Sequence, residues 1–234
     1  LLSRSEIAMY AAKRKLSGAL QYDAAFDSSS AQTLSLLTEL RHAVEHHELR
    51  LYLQPKVPLH GQTGQAAEAL VRWQHPQRGL VPPMQFIPFA EQTGFVRHLT
   101  LWMFEEVARL LADPRTQGLP LRVSVNLSTR DLLDPELSHR LADILARHGV
   151  AASAFCLEIT ESAIMDDPQR AEAMLNRLSE QGFKLSIDDF GTGYSSLAYL
   201  KRLPVDELKI DKSFVMGMET GEDDAMIVRS TIDL

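Results

Sequence analysis

Two adjacent carboxylates, Asp188 and Asp189, follow a short apolar run in the stretch KLSIDDFGTG, residues 184–193. Two acids at the end of a buried strand lose water and repel each other, so something must offset their charge. A divalent cation such as Mg²⁺ or Mn²⁺ is the usual partner, because these hard ions take oxygen ligands. For a lone Asp–Asp pair, a solvated acidic turn is the better explanation, because a short motif without context is weak evidence. The rest of the sequence must therefore decide between the two interpretations.

Unusual polar residues also occur at every second or every fourth position of the predicted strands, and most lie toward the C-terminal end of their strand. The pairs are Gln54 with Lys56, Glu68 with Arg72, Ser124 with Asn126, Glu158 with Thr160, Ser186 with Asp188, and Lys209 with Asp211. Such residues share one face of a strand, and barrel enzymes place their chemistry at the C-terminal strand ends. We therefore expect a set of oxygen donors to converge there, namely Glu68, Asn126, Glu158, Asp188 and Asp189. Carboxylates with one amide oxygen suit Mg²⁺ or Mn²⁺ and lack the nitrogen and sulfur ligands of structural zinc.

The elements that carry these residues alternate between strand and helix. Strands are predicted over Leu51–Val57, Ala66–Trp73, Leu121–Leu127, Phe155–Thr160, Lys184–Asp189 and Glu207–Asp211. Helices are predicted over Leu1–Lys15, Thr33–His47, Leu99–Leu111, Asp134–His148, Asp167–Gln181 and Ser195–Arg202. This alternation predicts βαβ units and a parallel sheet. Six such strands without a GxGxxG loop favour a (β/α) barrel over an open doubly wound sheet.

Composition limits the classes of function. The chain has 234 residues, 45% of them hydrophobic, and a net charge of −7. It can bury a sizeable core, and its acidic balance argues against a nucleic-acid polymer as partner. Cys156 is the single cysteine, which excludes an internal disulfide and fits a reducing compartment; we expect it to pack in the core. No apolar run is long enough for a membrane span, and the start at Leu1 suggests a fragment of a longer protein.

Several of these stretches resemble one known family in their order along the chain. AEALVRWQHP, residues 67–76, resembles the signature of EAL domains, the cyclic di-GMP phosphodiesterases. Other family motifs are similar to LYLQPKV at 51–57, VSVNLS at 123–128, LEITES at 157–162, IDDFGTGYSSLAYL at 187–200 and LPVDELKIDKSFV at 203–215. AMYAAKRKL, residues 8–16, resembles the last helix of a GGDEF diguanylate cyclase domain.

The resemblance implies a domain organisation and a fold. Residues 1–32 would be the end of a GGDEF-like domain with a linker, and residues 33–234 an EAL domain. The implied fold is α/β, a TIM-like (β/α)8 barrel of the EAL type. The last two strands of that barrel are absent from this chain, which ends inside the helix before them, so the chain alone is expected to be inactive. The family also implies a cytoplasmic domain of a protein that can be attached to a membrane elsewhere, a homodimer, and a GGDEF domain upstream in the same chain.

The implied reaction is hydrolysis of cyclic di-GMP to linear pGpG with two metal ions, Mg²⁺ or Mn²⁺. By resemblance, a first metal is held by Glu68, Asn126, Glu158 and Asp188, and Asp188 bridges to a second metal that Asp189 also binds. Lys209 is implied as a catalytic cation beside the water and the phosphate. An ion pair of Lys209 with Asp188 or Asp211 is the structural alternative, and the two interpretations are compatible.

The resemblance also implies residues for the substrate and for a loop. Arg72 would contact a phosphate, Gln54 would lie near a guanine, and Asp211 would belong to the substrate wall. Glu161 would anchor the loop at residues 189–194; without the resemblance it is an acid at a helix start. Two other functions remain open at this point. One is a catalytically silent cyclic di-GMP receptor, and the other is an unrelated metal-dependent barrel enzyme.

Overall fold

The computed structural model describes residues 36–59, 65–116, 118–192, 197–219 and 221–233, and the side chains of residues 197 and 198 are not described. The described residues divide into two compact units, one within Leu1–Leu49 and Trp73–Phe95 and the other within Arg50–Arg72 and Val96–Leu234. The predicted helix at Leu1–Lys15 and the GGDEF-like segment 1–32 lie outside the described residues. Among the helices within these ranges, none is both long and apolar enough to cross a membrane.

The described elements alternate along the chain as the sequence predicts. The strands are β1 (Leu49–Lys56), β2 (Ala66–His75), β3 (Gly79–Val81), β4 (Arg122–Leu127), β5 (Phe155–Thr160), β6 (Lys184–Phe190) and β7 (Glu207–Ile210). The helices are α1 (36–45), α2 (Pro83–Thr93), α3 (Val96–Ala112), α4 (Thr129–Leu132), α5 (Leu137–His148), α6 (Glu161–Met165), α7 (Pro168–Glu180), α8 (Leu197–Leu200), α9 (Lys212–Gly217) and α10 (Glu222–Ile232). All six predicted strands are confirmed, with ends that shift by at most two residues.

The sheet confirms the predicted α/β class. Its hydrogen-bonded neighbours follow the order β1, β2, β4, β5, β6, β7. The β2–β4, β4–β5, β5–β6 and β6–β7 pairs are all parallel. The C-terminal ends of these strands therefore lie on the same edge of the sheet, where polar residues from different strands can meet.

Strict alternation within the strands separates the core from the opposite face of the sheet. In β5, Phe155, Leu157 and Ile159 are buried members of the hydrophobic core, whereas Cys156 and Glu158 occupy the positions between them. The same pattern holds in β4, where Val123, Val125 and Leu127 belong to the core. Because side chains on a strand alternate between its two faces, packing one face against helices commits every second residue to the other face.

Three aromatic rings anchor the core of the larger unit. Phe104 of α3 stacks on Phe155 of β5 with their ring centroids 5.2 Å apart. Phe183 meets both rings edge-on, with 6.2 Å between centroids in each case. All three side chains are almost completely buried. Aromatic pairs in this geometry contribute beyond the apolar area that they bury.

Helices begin directly at the ends of several strands. Ser128 follows β4 and forms a capping box with Asp131 of α4. Thr160 ends β5 and accepts a hydrogen bond from the backbone N–H of Ala163 in α6. Asp211 follows β7 and caps α9, so the predicted strand Glu207–Asp211 was one residue too long. Such caps satisfy the first N–H groups of a helix and fix the point at which the chain leaves the sheet.

The smaller unit contains two elements that the sequence analysis did not predict. Strand β3 pairs antiparallel with β2 through Trp73–Val81 and His75–Gly79, so the sheet is not purely parallel. Helix α2 starts with Pro83 at its first turn and contains Pro88 in its interior. Buried Trp73 meets Phe86 of α2 edge-on at 5.7 Å between ring centroids. Tertiary packing thus sustains a helix that its proline content argues against.

We expect Phe104→Ala to lower the free energy of unfolding by about 3–5 kcal/mol, the usual cost of removing a buried phenyl ring. Met216→Ala is the control, because Met216 is 80% exposed; exposed substitutions stay within about 0.5 kcal/mol. Chemical denaturation of both variants measures the difference. An equal effect of the two substitutions would contradict the central role of the aromatic cluster.

Candidate active site

Five strands bring polar side chains to the same region of the larger unit. Glu68 comes from β2, Asn126 from β4, Glu158 from β5, Asp188 from β6 and Lys209 from β7. Asn126 lies directly opposite Glu158 in the sheet register. Of the five side chains predicted to converge, Glu68, Asn126, Glu158 and Asp188 are brought together here, and Lys209 joins them.

The ammonium group of Lys209 lies at the centre of this region. Its Nζ atom donates to Asp188 Oδ2 at 2.7 Å, to Glu158 Oε2 at 2.7 Å and to Glu68 Oε2 at 3.3 Å. Asn126 Nδ2 donates to the other oxygen of Glu68 at 3.0 Å. Burial lowers the pKa of Lys209, but the hydrogen bonds that it donates to the carboxylates, together with their negative charge, outweigh burial and leave that pKa above its usual value. Lys209 therefore remains positively charged and offsets part of the negative charge of three carboxylates.

Glu158 is the most deeply buried acid of this region, with a side chain that is 0% exposed. Its two oxygens have different partners, because Lys209 binds Oε2 and Lys56 Nζ donates to Oε1 at 2.8 Å. Lys56 also donates to Glu207 Oε1 at 2.9 Å. Burial raises the pKa of Glu158, but the two lysines outweigh burial and hold that pKa below its usual value. A buried carboxylate is thus kept ionised by two ammonium groups.

Asp189 departs from the regular strand geometry. Its φ of 55° lies in the left-handed region, and the β6–β7 register shifts between Ile187 and Phe190. Aspartate tolerates this conformation better than most residues, and such irregularities redirect side chains. Partial loss of hydration raises the pKa of Asp189, and the carboxylates of Asp188 and Asp211 raise it further. Asp189 is therefore close to other acids but outside the three that Lys209 contacts in the described residues.

The loop after β6 is tied to the start of α6. Glu161 is the first residue of α6, and its Oε2 accepts the backbone N–H of Gly191 at 3.2 Å. Gly191 has a φ of 98°, and a Cβ at this position would lie 3.0 Å from Phe214 Cε2. Both features favour glycine here, because other residues are strained at positive φ. Residues 193–196 of the loop lie outside the described residues.

The predicted substrate residues have different surroundings. Arg72 lies over the ring of Tyr52, with 5.8 Å between its guanidinium carbon and the ring centroid, and donates to the Val71 carbonyl at 2.9 Å. Gln54 is exposed on β1. Asp211 Oδ1 accepts the backbone N–H of Ser213 at 2.8 Å as the cap of α9. The cap accounts for Asp211 without a substrate, so its predicted role in the substrate wall stays a prediction.

The oxygen atoms of these converging side chains are of the chemical type that binds a divalent metal. Carboxylate and amide groups from Glu68, Asn126, Glu158 and Asp188 supply the hard oxygen ligands that Mg²⁺ and Mn²⁺ prefer. As placed, Asn126 turns its amide nitrogen toward Glu68, so its oxygen would have to rotate to bind a metal. Within the described residues, no three His, Cys, Asp or Glu side chains are arranged to hold a metal ion directly. The Lys209 ammonium explains this, because it already binds the carboxylates of Glu68, Glu158 and Asp188 that would otherwise face a metal ion.

Sequence reasoning assigned no role to three residues of this region. Lys56 shares a strand face with Gln54, and Tyr52 lies on that same face. Glu207 lies two positions before Lys209 and so shares its face of β7. The alternation of side chains along β1 and β7 therefore places all three on the same strand faces as predicted site residues. Cys156, as predicted, is buried, and burial together with the nearby Glu207 charge raises the pKa of its thiol to about 12.

Comparison with known proteins decides the family. The sequence profile of the EAL domain matches residues 37–234. The chain belongs to the EAL domain family. Membership of this family implies a general requirement for a divalent metal.

Curated relatives of this EAL domain include signalling enzymes from two bacteria. The bifunctional diguanylate cyclase/cyclic di-GMP phosphodiesterase MucR of Pseudomonas aeruginosa is 39% identical over 236 residues, covering 100% of this chain and 34% of the relative. The cyclic di-GMP phosphodiesterase PdeR of Escherichia coli is 35% identical over 233 residues, covering 99% of this chain and 35% of the relative. The chain thus spans about a third of the length of these curated relatives.

A solved structure of the PaMucR phosphodiesterase in complex with c-di-GMP is similar to this EAL domain in fold. The TM-score is 0.77 at 43% identity, and the match covers 84% of this chain and 80% of that chain. This likeness confirms the predicted α/β fold of the EAL type, with its parallel sheet and surrounding helices.

We expect Lys209→Met to destabilise the EAL domain in chelator, because it leaves three carboxylates without their shared cation. The expected loss is about 1–3 kcal/mol, the cost of leaving buried polar groups unpaired. Mg²⁺ or Mn²⁺ should restore the stability, since a divalent ion can replace the ammonium. Thermal unfolding with and without metal measures both effects.

Lys184→Met is the control for this experiment, because Lys184 forms its own ion pair with Asp206 at 2.6 Å. Metal should not rescue Lys184→Met. If metal stabilises both variants equally, the carboxylates around Lys209 are not a cation site.

We expect Gly191→Ala to weaken Mn²⁺ binding, because the new Cβ pushes on Phe214 and disturbs the turn next to Asp189. Gly149→Ala is a matched control with the same kind of strain, since Gly149 has a φ of 66° but no atom within 4 Å of the added Cβ. Both variants should lose about 1–2 kcal/mol of stability from the left-handed backbone. Calorimetric Mn²⁺ titration separates them, and equal Mn²⁺ affinities would contradict this role of the loop.

Proposed function

We propose that this EAL domain, in its complete protein, hydrolyses one phosphodiester bond of cyclic di-GMP and releases linear pGpG. The observation that carries the proposal is the meeting of Glu68, Glu158 and Asp188 around one ammonium group, within 2.7–3.3 Å of Lys209 Nζ. Acids from three separate strands are gathered there at a cost that only a cation can offset. The relatives' names supply the substrate class.

The proposed cofactor is Mg²⁺ or Mn²⁺ in a two-metal site. Glu68, Asn126, Glu158 and Asp188 would hold the first ion, and Asp188 with Asp189 would hold the second. When bound, such ions polarise the phosphate and lower the pKa of a water molecule. The left-handed backbone at Asp189 supports this division, because it breaks the alternation that would send adjacent side chains to opposite faces of β6.

Lys209 is the proposed catalytic cation of the chain itself. Its ammonium already has three acidic partners, so it lies within reach of any phosphate that these acids help to bind. We propose that Lys209 redirects one of the N–H groups that it donates to these acids toward a phosphoryl oxygen, and that its charge orients the attacking water. A preorganised donor of this kind stabilises the charge that develops in the transition state.

Arg72 and Gln54 are the proposed substrate contacts. A guanidinium group binds phosphate with two parallel hydrogen bonds, and the Tyr52 ring beneath Arg72 limits the directions that the guanidinium can take. Gln54 is exposed on the face of β1 that also carries Tyr52, and its amide can pair with a guanine edge. Asp211 remains a candidate for the substrate wall in addition to its role as a helix cap.

Glu161 is proposed to anchor the loop that starts at Asp189. Its hydrogen bond to the Gly191 N–H supports this role, because that bond fixes the backbone two residues beyond Asp189, the proposed ligand of the second metal. In this proposal, movement of α6 would change the position of Asp189. By resemblance to the family, we propose that this loop couples dimerisation to metal binding.

The wider organisation is also a proposal. The bifunctional name of MucR supports an upstream GGDEF domain in the same chain, with residues 1–32 as its end and a linker, and residues 33–234 as the EAL domain. We propose a homodimer in the cytoplasm, where the single, buried Cys156 suits a reducing environment. A nucleic-acid polymer is not a proposed partner, since the net charge is −7.

The test is release of pGpG from cyclic di-GMP by the complete protein with Mg²⁺ or Mn²⁺, and again after chelation. We expect activity with metal and none with chelator. Asp188→Asn should lower kcat by at least about a hundredfold, as loss of one stabilising group usually does. Asp113→Asn is the control, because Asp113 pairs with Arg115 in an exposed turn. Binding of cyclic di-GMP without turnover would favour a silent receptor and refute the hydrolase.

A further inference from the structure

Lys56 makes two short ion pairs for which the proposed reaction gives no reason. Its Nζ atom lies 2.8 Å from Glu158 Oε1 and 2.9 Å from Glu207 Oε1. Its side chain is only 27% exposed. Burial lowers the pKa of Lys56, but the bonds to the two glutamates outweigh burial and leave that pKa above its usual value. A lysine that remains charged in a largely buried position needs an explanation beyond solubility.

The geometry divides the two oxygens of Glu158 between two cations. Lys56 takes Oε1 and Lys209 takes Oε2, at 2.8 Å and 2.7 Å. Charge-assisted hydrogen bonds of this length are directional, so they fix the rotation of the carboxylate about its last torsion. With Oε1 engaged by Lys56, Oε2 is the oxygen of Glu158 that shares Lys209 with Glu68 and Asp188.

We propose that Lys56 is a positioning residue that fixes Glu158 as a one-oxygen ligand of the divalent cation. This inference rests on the proposed function, which places the metal among Glu68, Glu158 and Asp188. Groups that orient a metal ligand through its second atom set the affinity of the site. Glu207, the first residue of β7, accepts a hydrogen bond from the same ammonium and so helps to hold Lys56 in place.

A simple charge effect of Lys56 predicts the opposite result, which makes the proposal testable. Removing a positive charge beside a cation site lowers the repulsion on the incoming ion, so metal binding would become tighter. Removing a positioning residue lets Glu158 rotate, so metal binding becomes weaker. The sign of the change in Mn²⁺ affinity therefore separates the two effects.

The experiment is calorimetric titration of the complete protein with Mn²⁺ alone, with no nucleotide present. We expect Lys56→Met to weaken Mn²⁺ binding by about 10–100-fold, the range for loss of a group that orients a ligand. Lys56→Arg should recover most of the affinity, because it keeps the charge and can donate to both glutamates. Lys184→Met, which removes a lysine paired with Asp206 outside the site, should leave Mn²⁺ affinity unchanged. Unchanged or tighter Mn²⁺ binding by Lys56→Met overturns the proposal.

Glu207→Gln keeps the proposal testable if Lys56→Met does not fold. It leaves Lys56 in place but weakens its anchor, so we expect Mn²⁺ affinity between those of the wild type and a protein without the lysine. An unchanged affinity of folded Glu207→Gln would then overturn the proposal. A wild type that binds Mn²⁺ without hydrolysing cyclic di-GMP would refute the proposed reaction. The role of Lys56 would still be decided separately, because it is measured by Mn²⁺ affinity alone.

Discussion

The compensation of buried negative charge is the constraint on which the rest of this site depends. Glu158 has no exposed side-chain surface, yet it is kept ionised because an ammonium group binds each of its oxygens. Desolvation of an unpaired carboxylate costs several kcal/mol, so the two lysines and the acids around them must be understood as one unit. The parallel strands deliver these groups from distant parts of the chain, and the core on the other face of the sheet keeps the strands in register.

The sequence was sufficient for most of the fold because the strands obey a simple rule. In β5 every second residue is apolar and buried, and the intervening Cys156 and Glu158 lie on the opposite face. The rule could not predict β3 and α2, since Gly79, Pro83 and Pro88 carry local signals for turns. Packing around Trp73 outweighs those signals, and such long-range contacts are not visible in a short window of sequence.

The site was predictable in its composition but not in its contacts. Glu68, Asn126, Glu158 and Asp188 were chosen from their strand positions, and the structure brings their side chains into one network with Lys209. The left-handed backbone of Asp189 was not predictable, because the bulge depends on pairing between β6 and β7. The pairing of Lys56 with Glu207 joins residues that are 151 positions apart, and residue type alone could not select it.

The burial of Cys156 has a practical consequence for future work on this protein. Its thiol has almost no access to solvent, and its pKa of about 12 leaves a negligible fraction of thiolate at neutral pH. Alkylating dyes and spin labels react with the thiolate, so these 234 residues contribute almost no labelling of their own. A cysteine introduced on the exposed surface of this domain could therefore carry a fluorophore or nitroxide without first removing Cys156.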